Sequence, residues 1–115
     1  MKLFSYSSCS SCRKAIKWLE SNDISFELID ILKSPPSKKM LVSAAELYGD
    51  RNYILNTSGI IYRSIGSRVV KKMSDEELYE KLNIEPKLIK RPFLFKSNRC
   101  FLVGFKEEKW AEKLL

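Results

Sequence analysis

The sequence predicts a mixed α/β fold, and three observations carry that reading. A short apolar run gives way to a helical pattern and then to an alternating stretch within about thirty residues, which marks a βαβ unit with parallel strands. Helical stripes bounded by prolines fill the middle of the chain. Two strand-like runs and a closing helix then make a ββα half. No repeat, low-complexity tract or linker interrupts residues 1–115, so they are read as one domain.

Each element rests on a local pattern. Residues 2–6 predict the first strand. From Cys12 onward Ala15, Ile16, Trp18 and Leu19 fall at helical spacing, with Ser8, Ser10 and Ser11 as candidate caps. Asn22-Asp23 ends that helix. Residues 24–31, where Phe26 and Leu28 alternate with Ser25 and Glu27, predict the second strand. Ser34-Pro35-Pro36-Ser37 is a break before a helix whose buried stripe is Met40, Leu41, Ala44, Ala45, Leu47 and Tyr48, with Gly49 as its stop. Short helices are expected around residues 53–55 and 62–65, on either side of a Thr57-Ser58-Gly59 turn. Ser74-Asp75-Glu76-Glu77 is a capping box for a helix with Leu78 and Leu82 inside. Beyond Pro86 and Pro92, residues 93–96 and 99–103 predict a hairpin over Lys96-Ser97-Asn98. Residues 105–115 close the chain as a helix carrying Trp110, Leu114 and Leu115.

Composition narrows the function classes. An apolar content of 44% is enough for a core at 115 residues. No apolar run is long enough to span a membrane, and the N-terminus lacks a signal-peptide layout, so a cytoplasmic location is expected. In that compartment a close cysteine pair is redox-active or metal-binding more often than a structural staple. The net charge of +7 suits anionic partners, or a plain solvated lysine surface. With no long basic block and no glycine-aromatic RNA signature, direct nucleic-acid binding is not expected. The chain has no histidine, which removes the commonest general base and metal ligand. Cysteine, arginine, backbone amides and water are left to carry any chemistry.

Two stretches hold candidate site residues. In Cys9-Ser10-Ser11-Cys12 the first cysteine sits at the helix start, where unpaired N–H groups and the helix dipole favour a thiolate. Cys12, one turn along, can reach back to a mixed disulfide on Cys9, and Arg13 and Lys14 add positive charge nearby. The pair admits three readings: a redox dithiol, half of a zinc site with no second pair to complete it, or inert packing. Cys100, on the predicted hairpin, is either buried filler or a resolving thiol. The second stretch is Lys90-Arg91-Pro92-Phe93. In a thioredoxin-like fold, a proline before the third strand lies beside the cysteine loop, and Arg91 then points at Cys9 to stabilise a thiolate or an oxyanion. The alternative is a surface arginine and a strand-starting proline, which is tolerated at an edge, at a turn or as a cis bond.

Cys9-Ser-Ser-Cys12-Arg-Lys-Ala, Leu55-Asn-Thr-Ser-Gly59, Ile89-Lys-Arg-Pro92 and Val103-Gly-Phe105, in that order, resemble the ArsC/Spx family over nearly the whole chain. The resemblance implies a thioredoxin-like, glutaredoxin-related fold: a mixed four-stranded sheet interrupted by a helical insertion, about residues 34–88. It implies that Cys9 is the nucleophile, that Arg91 contacts the anion and that Arg13 lies close by. The second cysteine matches the dithiol, Spx-type branch. Pro92, Asn56 and Ser58 join Arg13 as expected anion- or substrate-binding positions.

The departures point away from arsenate. Arsenate reductases of the family carry two further arginines where this chain has Asn56 and Leu102, and Ser58 replaces an arginine of other relatives. Each lost charge-assisted contact removes roughly 1.5–3 kcal/mol of oxyanion binding. Arg63 and Arg99 are the remaining candidates to compensate. Spx-type regulators bind the C-terminal domain of the RNA polymerase α subunit through a glycine-bearing surface, where this chain offers Gly49-Asp50, and they have a tail longer than one ending at Leu115.

The expected function is therefore a thiol–disulfide oxidoreductase or redox sensor without metal or bound cofactor. Glutathione, glutaredoxin or thioredoxin would be its electron donor, and a redox partner protein or glutathione its partner. A redox-switched regulator binding RNA polymerase is the alternative, and glutaredoxin-coupled arsenate reduction the third.

Overall fold

A computed structural model describes residues 1–97 and 100–115, the side chain of Cys100 excepted. The expected turn at Asn98, the place of Arg99 and the two readings of Cys100 fall outside the described residues. Four strands form one sheet: β1 (Lys2–Ser5), β2 (Glu27–Asp30), β3 (Phe93–Ser97) and β4 (Cys100–Val103). Their order is β2-β1-β3-β4. β1 runs parallel to β2 and antiparallel to β3, and β3 is antiparallel to β4, so the sheet is mixed and thioredoxin-like.

The period of two along the strands divides the interior into two cores. Leu3, Leu94 and Leu102 face one side, where Ala15 and Leu19 of α1 (Ser10–Ser21) and Trp110 of α6 (Glu107–Leu114) cover them. Phe4, Phe93, Phe101 and Val103 face the other side. That face is covered by α2 (Lys38–Tyr48) and α5 (Asp75–Ile84), through Leu41, Ala44, Leu78 and Leu82. Phe4 and Phe93, paired in register, meet edge to face at 5.9 Å.

Between β2 and β3 the chain is helical. Ser37 caps α2 through its Oγ, which accepts from Met40 N–H at 3.2 Å, and Gly49 stops the helix in the left-handed region at φ 74°. Short 3₁₀ turns occupy Arg51–Ile54 and Pro86–Leu88. The Ser74–Glu77 capping box forms in both directions, at 3.1 and 2.9 Å.

The differences from the sequence reading have local causes. β2 starts at Glu27 instead of residue 24, and Leu28 is 56% exposed, because β2 borders the sheet and its outer face there is uncovered. Leu47, assigned to the stripe of α2, is 53% exposed. The helix expected around residues 62–65 forms as α3 (Ile60–Ile65), and a second one that was not anticipated, α4 (Ser67–Lys72), follows it across Gly66. The adjacent valines Val69 and Val70 hide α4 from a helix-propensity reading.

Candidate active site

Cys9 is itself the cap of α1, in place of the three serines proposed. Its backbone is extended (φ −93°, ψ 116°), and its Sγ accepts the Cys12 N–H at 3.2 Å. Its own N–H donates to the Tyr6 carbonyl at 3.0 Å, closing a tight turn between β1 and α1. A sulfur at this position meets the unpaired amides and the positive end of the helix dipole. Cys9 is half-buried and Cys12 fully buried, and both are free thiols.

The two thiols differ in chemistry as well as exposure. Burial pushes the Cys12 thiol up to about 11, and the neighbouring Cys9 sulfur adds to the rise; the Tyr6 backbone and the Ser5 side chain pull the other way. At neutral pH Cys12 keeps its proton, and Cys9 presents the sulfur that solvent can reach.

The register of β1 against β3 brings the second stretch to this loop. Leu3 pairs with Leu94 and Phe4 with Phe93, so continuing the pairing sets Pro92 opposite Ser5 and Arg91 opposite Tyr6. The Arg91–Pro92 bond is cis and Pro92 is buried. The Arg91 guanidinium lies over the Tyr6 ring at 5.3 Å, and its Nη1 donates to the Lys87 carbonyl at 3.1 Å. The expected guanidinium–sulfur contact is not made: among the described residues Arg91 hydrogen-bonds neither cysteine, because Tyr6 and the Lys87 carbonyl hold it. Its Nε–H is buried without a partner, an orphan donor beside the cysteine loop.

The remaining predicted residues divide. Asn56 Nδ2 donates to the same Lys87 carbonyl at 3.4 Å, and its N–H to Leu88 O at 2.7 Å. Ser58 Oγ donates to Asn56 Oδ1 at 3.5 Å. One carbonyl thus connects Asn56 and Ser58 to Arg91, through contacts at the weak end of hydrogen bonding. Arg13 is exposed and braces the loop, with Nη1 donating to Ser7 O at 2.9 Å. A hollow of about 440 Å³, bordered by Tyr6, Ser7, Arg13 and Asp30, opens beside it. Leu102 packs with Leu3, Leu94 and Trp110 in the core. Arg63 donates to Gly59 O at 3.5 Å.

Sequence reasoning missed Tyr6 and Lys87. The Tyr6 ring carries Arg91 and also the Lys87 ammonium, at 5.7 Å, while its carbonyl anchors Cys9. An aromatic residue three before the first cysteine is the available signal. Among the described residues no three His, Cys, Asp or Glu side chains gather as a metal site, and no helix is long and apolar enough to cross a membrane.

Comparison with known proteins bears on the family and the fold. The model of the ArsC family matches residues 4–113. Protein YusI of Bacillus subtilis (strain 168) is 38% identical over 109 residues, covering 93% of this chain and 92% of that one. The global transcriptional regulator Spx of the same organism is 30% identical over 108 residues, covering 93% and 81%. A solved ArsC-family-related protein from Bacteroides fragilis superposes with a TM-score of 0.85 at 34% identity, covering 96% and 94%.

Proposed function

The chain belongs to the ArsC family, and from that premise we propose that it is a cytoplasmic thiol–disulfide oxidoreductase or redox sensor working through Cys9 and Cys12. The observation that carries the reading is the division of labour between two sulfurs on one helical turn. Cys9 is reachable and caps α1, while Cys12 is buried behind it as a protonated thiol.

In the first step the Cys9 thiolate attacks a substrate disulfide, forming a Cys9–S–S–R bond and releasing the other half as a thiolate. Two of the influences that raise Cys12 come from the Cys9 sulfur, as a hydrogen-bond partner and as a charge. Burial, the largest cause of the rise, remains. The charge on the Cys9 sulfur, however, is gone once it is tied up in the mixed disulfide, which eases ionisation of Cys12 at the stage that needs it. It gives its proton to the departing thiolate or to water and attacks Cys9 Sγ. R leaves as thiolate, and the dithiol becomes a disulfide with two electrons passed to the substrate. Glutathione, glutaredoxin or thioredoxin returns those electrons; the chemistry needs no bound cofactor.

Arg91 supplies positive charge at the cysteine loop from its place over the Tyr6 ring. The buried Pro92 shapes the groove next to it, and Arg13 fixes the loop. Reduction of a small model disulfide tests the reading. Cys9→Ser abolishes it, and Cys12→Ser accumulates a mixed disulfide detectable by mass. Full activity of the Cys9→Ser protein overturns the assignment.

A second reading is favoured by the 30% identity to Spx, named a global transcriptional regulator. On this reading the Cys9–Cys12 disulfide switches binding to the C-terminal domain of the RNA polymerase α subunit. At the corresponding surface Asp50 turns its carboxylate onto Asn52 N–H at 2.8 Å, a side chain where such regulators carry glycine. A pull-down with that domain, oxidised and reduced, decides: no retention in either state removes the regulator. Arsenate reduction ranks third, since Leu102 packs in the core and Asn56 is neutral. Absence of arsenite release in a glutaredoxin-coupled assay removes it.

A further inference from the structure

A second concave site lies apart from the cysteines in the residues that build it. It is a cleft of about 310 Å³ between the end of α2, β4 and α6, at the small end of ligand pockets, which run roughly 300–1,000 Å³. Tyr48, Tyr53, Phe101 and Trp110 form its apolar floor, and Lys106, Lys109 and Lys113 its rim. Tyr48 and Tyr53 stack at 3.9 Å with their planes 11° apart. Lys90 is not part of the lining but stands on one of its rings, with Nζ 4.6 Å over Tyr53. Its stem runs against Gly104, where a Cβ would come within 2.9 Å of Lys90 Cε.

The charges here are unbalanced. Among the described residues Lys90, Lys106 and Lys113 form no ion pair, and Lys109 has only a 4.0 Å contact with Glu112. Burial and the charge of Lys106 both push the Lys90 ammonium down from its ordinary pKa. Like charges gathered over the half-buried rings of Tyr48 and Tyr53 cost free energy that a bound anion relieves.

We propose that this cleft binds a small amphipathic anion, an aromatic or alkyl body carrying a carboxylate. The floor takes the body and the lysine rim the charge. An extended acidic peptide fits less well. The outward N–H of Val103 donates to Tyr48 Oη at 3.2 Å, and Tyr48 Oη–H donates to Phe101 O at 3.2 Å. That hydroxyl already occupies the backbone groups of β4 with which an added strand would pair.

The test uses 2-naphthoate against the neutral 2-naphthamide, followed by NMR on the Gly104 amide and the Trp110 indole N–H, which donates to Gly104 O at 3.0 Å. The naphthoate shifts both signals saturably with a Kd below about 1 mM, and the amide binds at least about tenfold more weakly. The exposed double substitution Lys106→Ala/Lys113→Ala weakens naphthoate binding by about tenfold without altering the amide. Cys9→Ser leaves all of it unchanged, which separates this site from the cysteine chemistry. Equal binding of acid and amide overturns the proposal, as does the absence of saturation or a response confined to residues 6–13. So does a polyglutamate peptide shifting these signals where naphthoate does not.

Discussion

Lys90 and Arg91 are neighbours in the chain, yet each serves a different tyrosine. Arg91 lies over Tyr6 at the cysteine loop, and Lys90 over Tyr53 at the lysine-rimmed cleft. The local chemistry is the same in both places, a cation on an aromatic face. What differs is the setting: Tyr6 also holds the turn that presents Cys9, whereas Tyr53 stacks on Tyr48, which is bonded to β4. In the function and the cleft proposed above, the same pairing would serve reaction in one region and binding in the other. One short segment before β3 positions both cations, the register of β1 and β3 fixing Arg91 while Lys90 N–H is bonded to Ile54 O at 2.8 Å.

Substitution of the two cations should break the comparison most strongly. Arg91→Ala lowers kcat/KM for an anionic disulfide by about 10–100-fold, equivalent to losing one charge-assisted contact. Lys90→Ala leaves it within about twofold. Equal losses in steady-state assays would mean that the two cations act as one electrostatic field.

The rings come next. Tyr6→Leu removes the face that holds Arg91 and lowers the rate by about two- to fivefold, whereas Tyr6→Phe keeps it and restores the rate. If Phe is as poor as Leu, the hydroxyl and not the ring matters. Tyr53→Leu leaves disulfide reduction unchanged.

Alkaline titration sharpens the contrast between the sulfurs. The folded protein raises the Cys12 thiol from 9.0 to about 11, so it favours the protonated form. The stability gained from that preference is complete below pH 9.0 and is lost as the pH rises through about 11. Urea midpoints across that window should fall in the native protein and lack this component in Cys12→Ala. The smallest effect serves as a control outside both regions: Ser74→Ala costs about 1 kcal/mol of stability through the lost cap of α5, with disulfide reduction and naphthoate binding unmoved.

Much of the architecture was legible because it follows from strong local signals. The βαβ start, the Pro35-Pro36 break, the Gly49 stop and the Ser74 capping box all hold. Their causes lie within a few residues of sequence. The site was legible only as a set of participants. That Cys9 caps α1 could not be read from a loop rich in serines, each a better cap by propensity. Tyr6 escaped because its part is set by pairing across the sheet with residues some 85 positions later. The same pairing explains the difference at Arg91: the sequence indicated the neighbourhood, but which group the guanidinium touches depends on Tyr6 and on the Lys87 carbonyl.

The bond between Tyr48 and β4 has a consequence for life at high concentration. A strand at the border of a sheet is a template for other copies, the usual start of clumping and fibril growth. Here one phenol oxygen answers both the donor of Val103 and the acceptor of Phe101, standing in for a fifth neighbour. The opposite border is the four-residue β2, which begins and ends in acid at Glu27 and Asp30. The molecule closes one margin with a single side chain and the other with brevity and charge.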